Sequence, residues 1–352
     1  MANMNGRPQG VLLLGSVPLA NRDEVFQAAS AILGQHLRYV PDGETGERSN
    51  WIGWQFPILS QNPSLEVVSG EMSGYRQRPQ LRLRAGVRAE DVRFENLGYR
   101  DAALVSYARF AELQRANKIP STWRFQVSLP TPNATVAGFI APEDQAAVEP
   151  AYERRLLEEL DDIATHIPHD HLAIQWDVAV EFAQLEGVFP AHFAPLFEGI
   201  VERLVRLGDR VPRDAALGYH LCYGDALHQH FVEPQDAGRL VEVANAVAWG
   251  VSRPIAYVHL PVPRDRVDDA YYAPLADLKL DAETQLYLGL VHYTDGVEGA
   301  RQRIRAAQRA VAAFGVATEC GLGRRPPETI HDLLRLHAQI AAPIVRELAA
   351  GR

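Results

Sequence analysis

The feature that most constrains this chain is an alternation. Eight short runs rich in β-branched and apolar residues, at 11–16, 37–41, 123–129, 171–178, 215–222, 254–260, 285–292 and 315–320, are separated by longer stretches whose apolar residues recur at helical spacing. The helical stretches lie at 21–33, 99–117, 149–166, 194–207, 234–249 and 297–314, and one at 326–348 closes the chain. Single buried strands separated by helices imply parallel pairing through right-handed crossovers. Eight such units are the number that closes a (β/α)8 barrel, so the sequence predicts an α/β protein built as one TIM barrel over residues 1–352 rather than two domains. The exception is 51–96, rich in Gly, Pro, Gln and Arg, in which Leu81–Arg84 alternates apolar and basic residues. This stretch reads as an insertion after the second strand, with a hairpin, arching over the barrel mouth; an excursion away from the mouth is the alternative.

Charge narrows the partners. Lys and Arg number 35 against 44 Asp and Glu, a formal net charge of −9 that repels a polyphosphate backbone unless the positive charge is clustered. The basic groups Arg82/Arg84/Arg88 and Arg301/Arg303/Arg305 are broken by apolar residues and read as solvated faces, so no nucleic-acid partner is expected. No run approaches the roughly 18 apolar residues that cross a bilayer, and 11–14 is too short for a signal-peptide core. The expectation is a cytoplasmic protein acting on a small-molecule substrate without a membrane partner, with homo-oligomer formation left open. Two cysteines, Cys222 and Cys320, are a poor disulfide framework for a chain with this much core, so their place is sought in chemistry.

In a barrel of this kind the chemistry sits where strands end. The residues there are polar: Ser16 after the first run; Asp42, Glu44 and Arg48 after the second; Gln126 and Ser128 on the third; Gln175, Trp176 and Asp177 on the fourth. His220, Cys222 and Tyr223 end the fifth, His259 the sixth, His292 the seventh, and Glu319 with Cys320 the eighth. Residues two apart in a strand share a face, so His220 and Cys222 both point into the mouth. Imidazole nitrogen and thiolate sulfur are donors a Zn²⁺ ion takes, and Cys320 at another strand end supplies a third. His259, on the intervening strand, is the expected fourth metal ligand.

Gly15-Ser16-Val17-Pro18, Asp42-Gly43-Glu44 with Arg48, Gln175-Trp176-Asp177, His220-Leu221-Cys222-Tyr223 and Glu319-Cys320-Gly321-Leu322 resemble, in order, the motifs of the catalytic barrel of cobalamin-independent methionine synthase. The wider superfamily also holds uroporphyrinogen decarboxylases and zinc-dependent coenzyme M transferases. The resemblance implies a zinc-dependent methyl or alkyl transferase that activates a small thiol as thiolate. It makes His220, Cys222 and Cys320 metal ligands, and has Ser16, Glu44 and Asp177 hold the ends of an amino-acid thiol. Arg48, Gln126, Trp176 and Tyr223 complete the expected substrate-binding set, and His292, Glu44 and Asp177 the acid and base groups.

Three departures qualify this. The family's third ligand is a glutamate on the sixth strand, whereas 254–264 holds no acidic residue and His259 stands in. The family's catalytic histidine aligns with Thr294, two residues past His292. The chain also has no room for that family's additional N-terminal barrel, which puts binding of a polyglutamyl folate in question. A neutral imidazole in place of a carboxylate makes the centre one unit more positive, which suits a zinc hydrolase or lyase on a small, flat substrate, with aromatics such as Trp51 and Trp54 near the mouth. A metal-free decarboxylase or binding barrel, with the cysteines as packing residues, is the third reading.

Overall fold

The computed structural model describes residues 6–68, 72–73, 76–77, 79–225 and 229–344. Its strands are β1 (Tyr39–Pro41), β2 (Leu65–Val68), β3 (Met72–Ser73), β4 (Arg76–Gln77), β5 (Gln80–Leu83), β6 (Arg124–Pro130), β7 (Leu172–Val178), β8 (Ala216–Leu221), β9 (Tyr257–Pro261), β10 (Gln285–Val291) and β11 (Gly315–Thr318). Seven of them form one parallel sheet in the order β1-β6-β7-β8-β9-β10-β11. Helices cover its outer face, among them Arg22–Ile32, Tyr99–Arg115, Gln145–His166, Leu196–Arg210, Gly238–Gly250, Gly296–Ala310 and Ile330–Ile340. Six of these seven overlay the helical stretches read from apolar spacing within a few residues. The last covers only the middle of the predicted 326–348, of which 345–348 lies outside the described residues. Short helices at Pro132–Phe139 and Val180–Leu185 were not expected, being too brief to show a period. No helix among the described residues is long and apolar enough to cross a membrane.

The first predicted strand differs. Residues 11–16 form no continuous ladder: Val11 bridges both Leu37 and Val316, Ser16 bridges Gly43, and the Leu12 amide donates to the Val316 carbonyl at 3.0 Å. Gly10 and Gly15 have φ of +84° and +112°, outside the strand region, which breaks the pairing into isolated bridges. The segment still lies between the two ends of the sheet, touching the approach to β1 on one side and β11 on the other.

Strand alternation sorts the side chains into two cores. One cluster of Leu12, Leu14, Tyr39, Ala173, Ala216, Tyr257, Tyr287 and Ala317 fills the concave side, and a much larger one lies between sheet and helices. The tyrosines pack tilted (Tyr39 and Tyr257, ring centroids 4.8 Å apart) and edge-to-face (Tyr257 and Tyr287, 6.1 Å apart). Gly218 and Gly315 leave room for the rings: a Cβ there would come within 2.1 Å of Tyr257 and 2.4 Å of Tyr287. This apolar plug is the floor on which the polar residues stand. Trp176, expected among the substrate contacts, is placed in the outer core, fully buried on the face of β7 opposite Gln175 and Asp177.

The insertion carries the expected alternation. β2 and β5 pair antiparallel, Leu81 is fully buried and bridges Ile140, and Arg82 and Arg84 pair with Glu66 on the other face at 2.7 and 3.7 Å. Residues 69–71, 74–75 and 78 of the insertion lie outside the described residues. Its first residue, Trp51, lies close enough to Asp177 at the end of β7 to favour the charged form of that carboxyl.

Candidate metal centre

The loop after β1 is shaped by its own side chains. Asp42 accepts the Glu44 amide at 2.9 Å, the local turn for which Asp is suited, and its other oxygen takes the Ser106 hydroxyl at 2.5 Å and an ion pair from Arg48. Arg48, expected to touch substrate, is thus engaged in holding Asp42. Glu44 is left in the left-handed region at φ +47° with its carboxylate against Gly15, where a Cβ would lie 3.2 Å from Oε1. That strained placement, for a residue other than glycine, is enforced by the surrounding bonds. Burial, then the neighbouring Asp177, pushes the Glu44 carboxyl well above the usual range. Burial also pushes Asp177 up to about 6, against the opposing pull of His220. Asp177 is thus near enough to Glu44, the other carboxyl expected to act with it, to disfavour its charged form.

Beneath them Gln126 and Gln175 form a buried amide layer. Gln126 Nε2 donates to the Leu13 carbonyl at 3.0 Å and to Gln175 Oε1 at 3.2 Å; Gln175 Nε2 donates to Asp177 at 2.8 Å. The Tyr257 hydroxyl donates to Gln175 Oε1 at 3.1 Å, tying this layer to the plug below. Gln126 Oε1 is buried without a partner. Ser16 bridges Gly43, the residue before Glu44, and is held by the chain after β11, its hydroxyl oxygen accepting the Gly323 amide at 3.1 Å and its carbonyl the Leu322 amide at 2.8 Å. Side chains at 321 and 323 would clash with that hydroxyl, which explains the glycines flanking Leu322.

His220, Cys222 and Cys320 converge as expected, with their donor atoms all within 4.8 Å of one another. The two sulfurs are 3.7 Å apart, and both cysteines are free. Two Zn–S bonds of about 2.3 Å at a tetrahedral angle require sulfurs about 3.8 Å apart, so the donor set fits zinc in spacing as well as in chemistry. The Gly224 amide donates to Cys222 Sγ at 3.3 Å. Hydrogen bonding from Cys222, then from His220, holds the Cys320 thiol well below its usual range despite burial, while the same contact and burial push Cys222 up. Burial opposes charge on His220, but Cys320 outweighs it and raises its pKa.

His259 does not join this cluster. Its Nδ1 is 2.8 Å from His220 Nδ1 and its Nε2 is 3.0 Å from the Thr318 carbonyl, so both nitrogens are occupied behind His220 and neither faces the sulfurs. Burial, then His220, holds its pKa well below the usual range. Tyr223, expected among the substrate-binding residues, packs its ring on Phe182 at 5.2 Å and donates its hydroxyl to Glu186 at 3.0 Å.

His292 is buried, its Nε2 donating to the Val262 carbonyl at 2.9 Å and its Nδ1 lying 3.3 Å from Glu319 Oε2. Burial holds its pKa down, opposed by Glu319. The other Glu319 oxygen is 2.9 Å from His230 Nε2, and His230 Nδ1 is 3.0 Å from Glu233. Burial works against charge on His230, but Glu319 and Glu233 outweigh it and push it up to about 9. Sequence reasoning placed Glu319 at a strand end without a role and missed His230, which lies in a loop eight residues past Cys222 where no periodicity marks it.

No protein-family model matches this sequence, and no curated protein does. Among solved structures, the chain is similar to a Listeria monocytogenes protein provisionally described as a vitamin-B12 independent methionine synthase, with a TM-score of 0.59 over 97% of this chain and 99% of that one, at 14% identity. At that identity the likeness is one of fold. Nearly the whole chain shares the mixed α/β architecture of that protein.

Proposed function

We propose that this protein is a zinc-dependent methyl or alkyl transferase acting on a small thiol, related in design to the cobalamin-independent methionine synthases. The observation that carries the reading is the convergence of His220, Cys222 and Cys320 at zinc-ligand spacing, with the carboxyl groups of Glu44 and Asp177 within electrostatic reach. On this reading residues 11–16 stand as the eighth stave of a TIM barrel, with bridges on both sides, and the start of the insertion at Trp51 borders its mouth. Two free cysteines serving as ligands call for a reducing compartment, consistent with a cytoplasmic enzyme.

Zinc held by His220, Cys222 and Cys320 would lower the pKa of a substrate thiol and make it a nucleophile at neutral pH. The chain's own residues supply the rest. Glu44 and Asp177 present carboxyl groups for a substrate ammonium, and Ser16, bridged to Gly43, stands next to Glu44. His292 offers proton exchange: its Nε2 proton is fixed on the Val262 carbonyl, so Nδ1 faces Glu319 and the chain of contacts to His230. A second reading draws on the position of His259. With three protein donors among the described residues, a fourth position stays open, the arrangement of catalytic zinc sites that activate water, which would make the enzyme a hydrolase or lyase.

Metal analysis of purified protein, followed by an assay with and without a thiol co-substrate, tests these readings. One zinc per chain, lost in Cys320→Ser, together with a thiol requirement, is expected. Stoichiometric zinc without a thiol requirement favours the hydrolase or lyase, and metal content unchanged in Cys320→Ser overturns both.

A further inference from the structure

His220 has two ring nitrogens, and only one can face the sulfurs while the other is held. Its Nδ1 sits 2.8 Å from His259 Nδ1. A contact that short between two ring nitrogens needs one proton between them, and the second shell of His259 decides on which side it lies. His259 Nε2 is 3.0 Å from the Thr318 carbonyl, which can only accept, so His259 carries its proton on Nε2 and presents a bare lone pair at Nδ1. His220 must then be the donor at Nδ1, which leaves Nε2 as the nitrogen for the site it shares with Cys222 and Cys320. Three parallel strands enforce the chain of contacts. His220 on β8 and His259 on β9 are register partners, and Thr318 ends β11. Both rings are buried, with centroids 4.8 Å apart.

We propose that His259 is a positioning residue: by accepting the His220 Nδ1 proton it fixes the tautomer and ring orientation of His220, and it takes no place among the metal's own donors. Carboxylates and carbonyls usually fill that position behind a ligating histidine. A neutral imidazole there orients the ligand without adding a negative charge, which leaves the centre more electrophilic than a carboxylate would. The inference rests on the metal reading for its affinity measurement alone, since the proton arrangement exists with or without an ion.

The test combines zinc affinity, measured by competition with a chromophoric chelator, and spectra of protein labelled with ¹⁵N-histidine. His259→Phe keeps a ring of similar size but removes the acceptor, and is expected to bind one zinc per chain about 10–100-fold more weakly. His259→Asn, whose side-chain oxygen can stand where Nδ1 stood, is expected to recover most of that loss, which a purely packing role would not produce. In the wild-type protein the spectra should show His259 protonated at Nε2 alone. Wild-type affinity in His259→Phe, absence of rescue by Asn, or a metal-bound or Nδ1-protonated His259 each overturns the inference. If wild-type protein takes up no zinc, the proposed function fails, while the metal-free spectrum still decides this point through the His259 tautomer.

Discussion

Replacing Glu149 by Gln should destabilise the fold by an amount that depends on pH in a calculable way. Glu149, on the helix Gln145–His166, is only 5% exposed and ties that helix to Leu196–Arg210 and the segment before it, accepting from Arg203 at 2.9 and 2.7 Å and from His192 at 2.7 Å. Burial by itself would raise its pKa, but the hydrogen bonds and charges of Arg203 and His192 outweigh it and hold the carboxyl at about 2, against an ordinary value of 4.5. At about 1.4 kcal/mol for each pH unit, that gap is worth about 3 kcal/mol at neutral pH. The folded pKa is depressed, so the contribution is complete above the unfolded value and is lost as pH falls through 4.5 toward 2. At pH 3.5 about 2 kcal/mol should remain. Urea unfolding of wild type and Glu149→Gln at pH 7, 5 and 3.5 measures this directly. The carboxamide also leaves Arg203 facing a neutral group, which can add to the loss at every pH, so the slope is the decisive quantity. A loss that is the same at pH 3.5 as at pH 7 would refute the argument.

Three further outcomes follow from the site and its floor. Glu44→Gln should lower turnover by about 10²-fold or more while leaving the urea midpoint in place, because its carboxyl is held for substrate in a strained turn; an unchanged rate would make Glu44 a loop residue only. His292→Ala should reduce turnover and leave bound zinc intact, whereas loss of metal would make it a ligand and no kinetic change would leave the proton donor unassigned. Gly218→Ala should cost at least the roughly 1–3 kcal/mol typical of overpacking, since its Cβ would come within 2.1 Å of the Tyr257 ring. A melting temperature equal to wild type would show that the tyrosine plug is loosely packed.

The sequence by itself determined the order of elements and the chemistry available at the strand ends. Period alone separated seven of the strands from the helices between them, because each strand is a short apolar run and each long helix carries a periodic face. It also singled out His220, Cys222 and Cys320, since the alternation of a strand fixes two of them on one face and only one other cysteine exists. Tertiary structure decided what local pattern cannot carry. Residues 11–16 look like a strand in sequence, but two glycines with positive φ reduce them to isolated bridges. Whether His259 meets the sulfurs or stands behind His220 depends on the relative position of β8, β9 and β11, and a carbonyl at Thr318 settles it. Arg48 looked free for substrate until Asp42 folded back onto it, and Trp176 shares a strand with Asp177 but not a face. The contacts of His292 and His230 with Glu319 join residues 27 and 89 positions apart, a relation that exists only once separate strand ends and a loop meet in space.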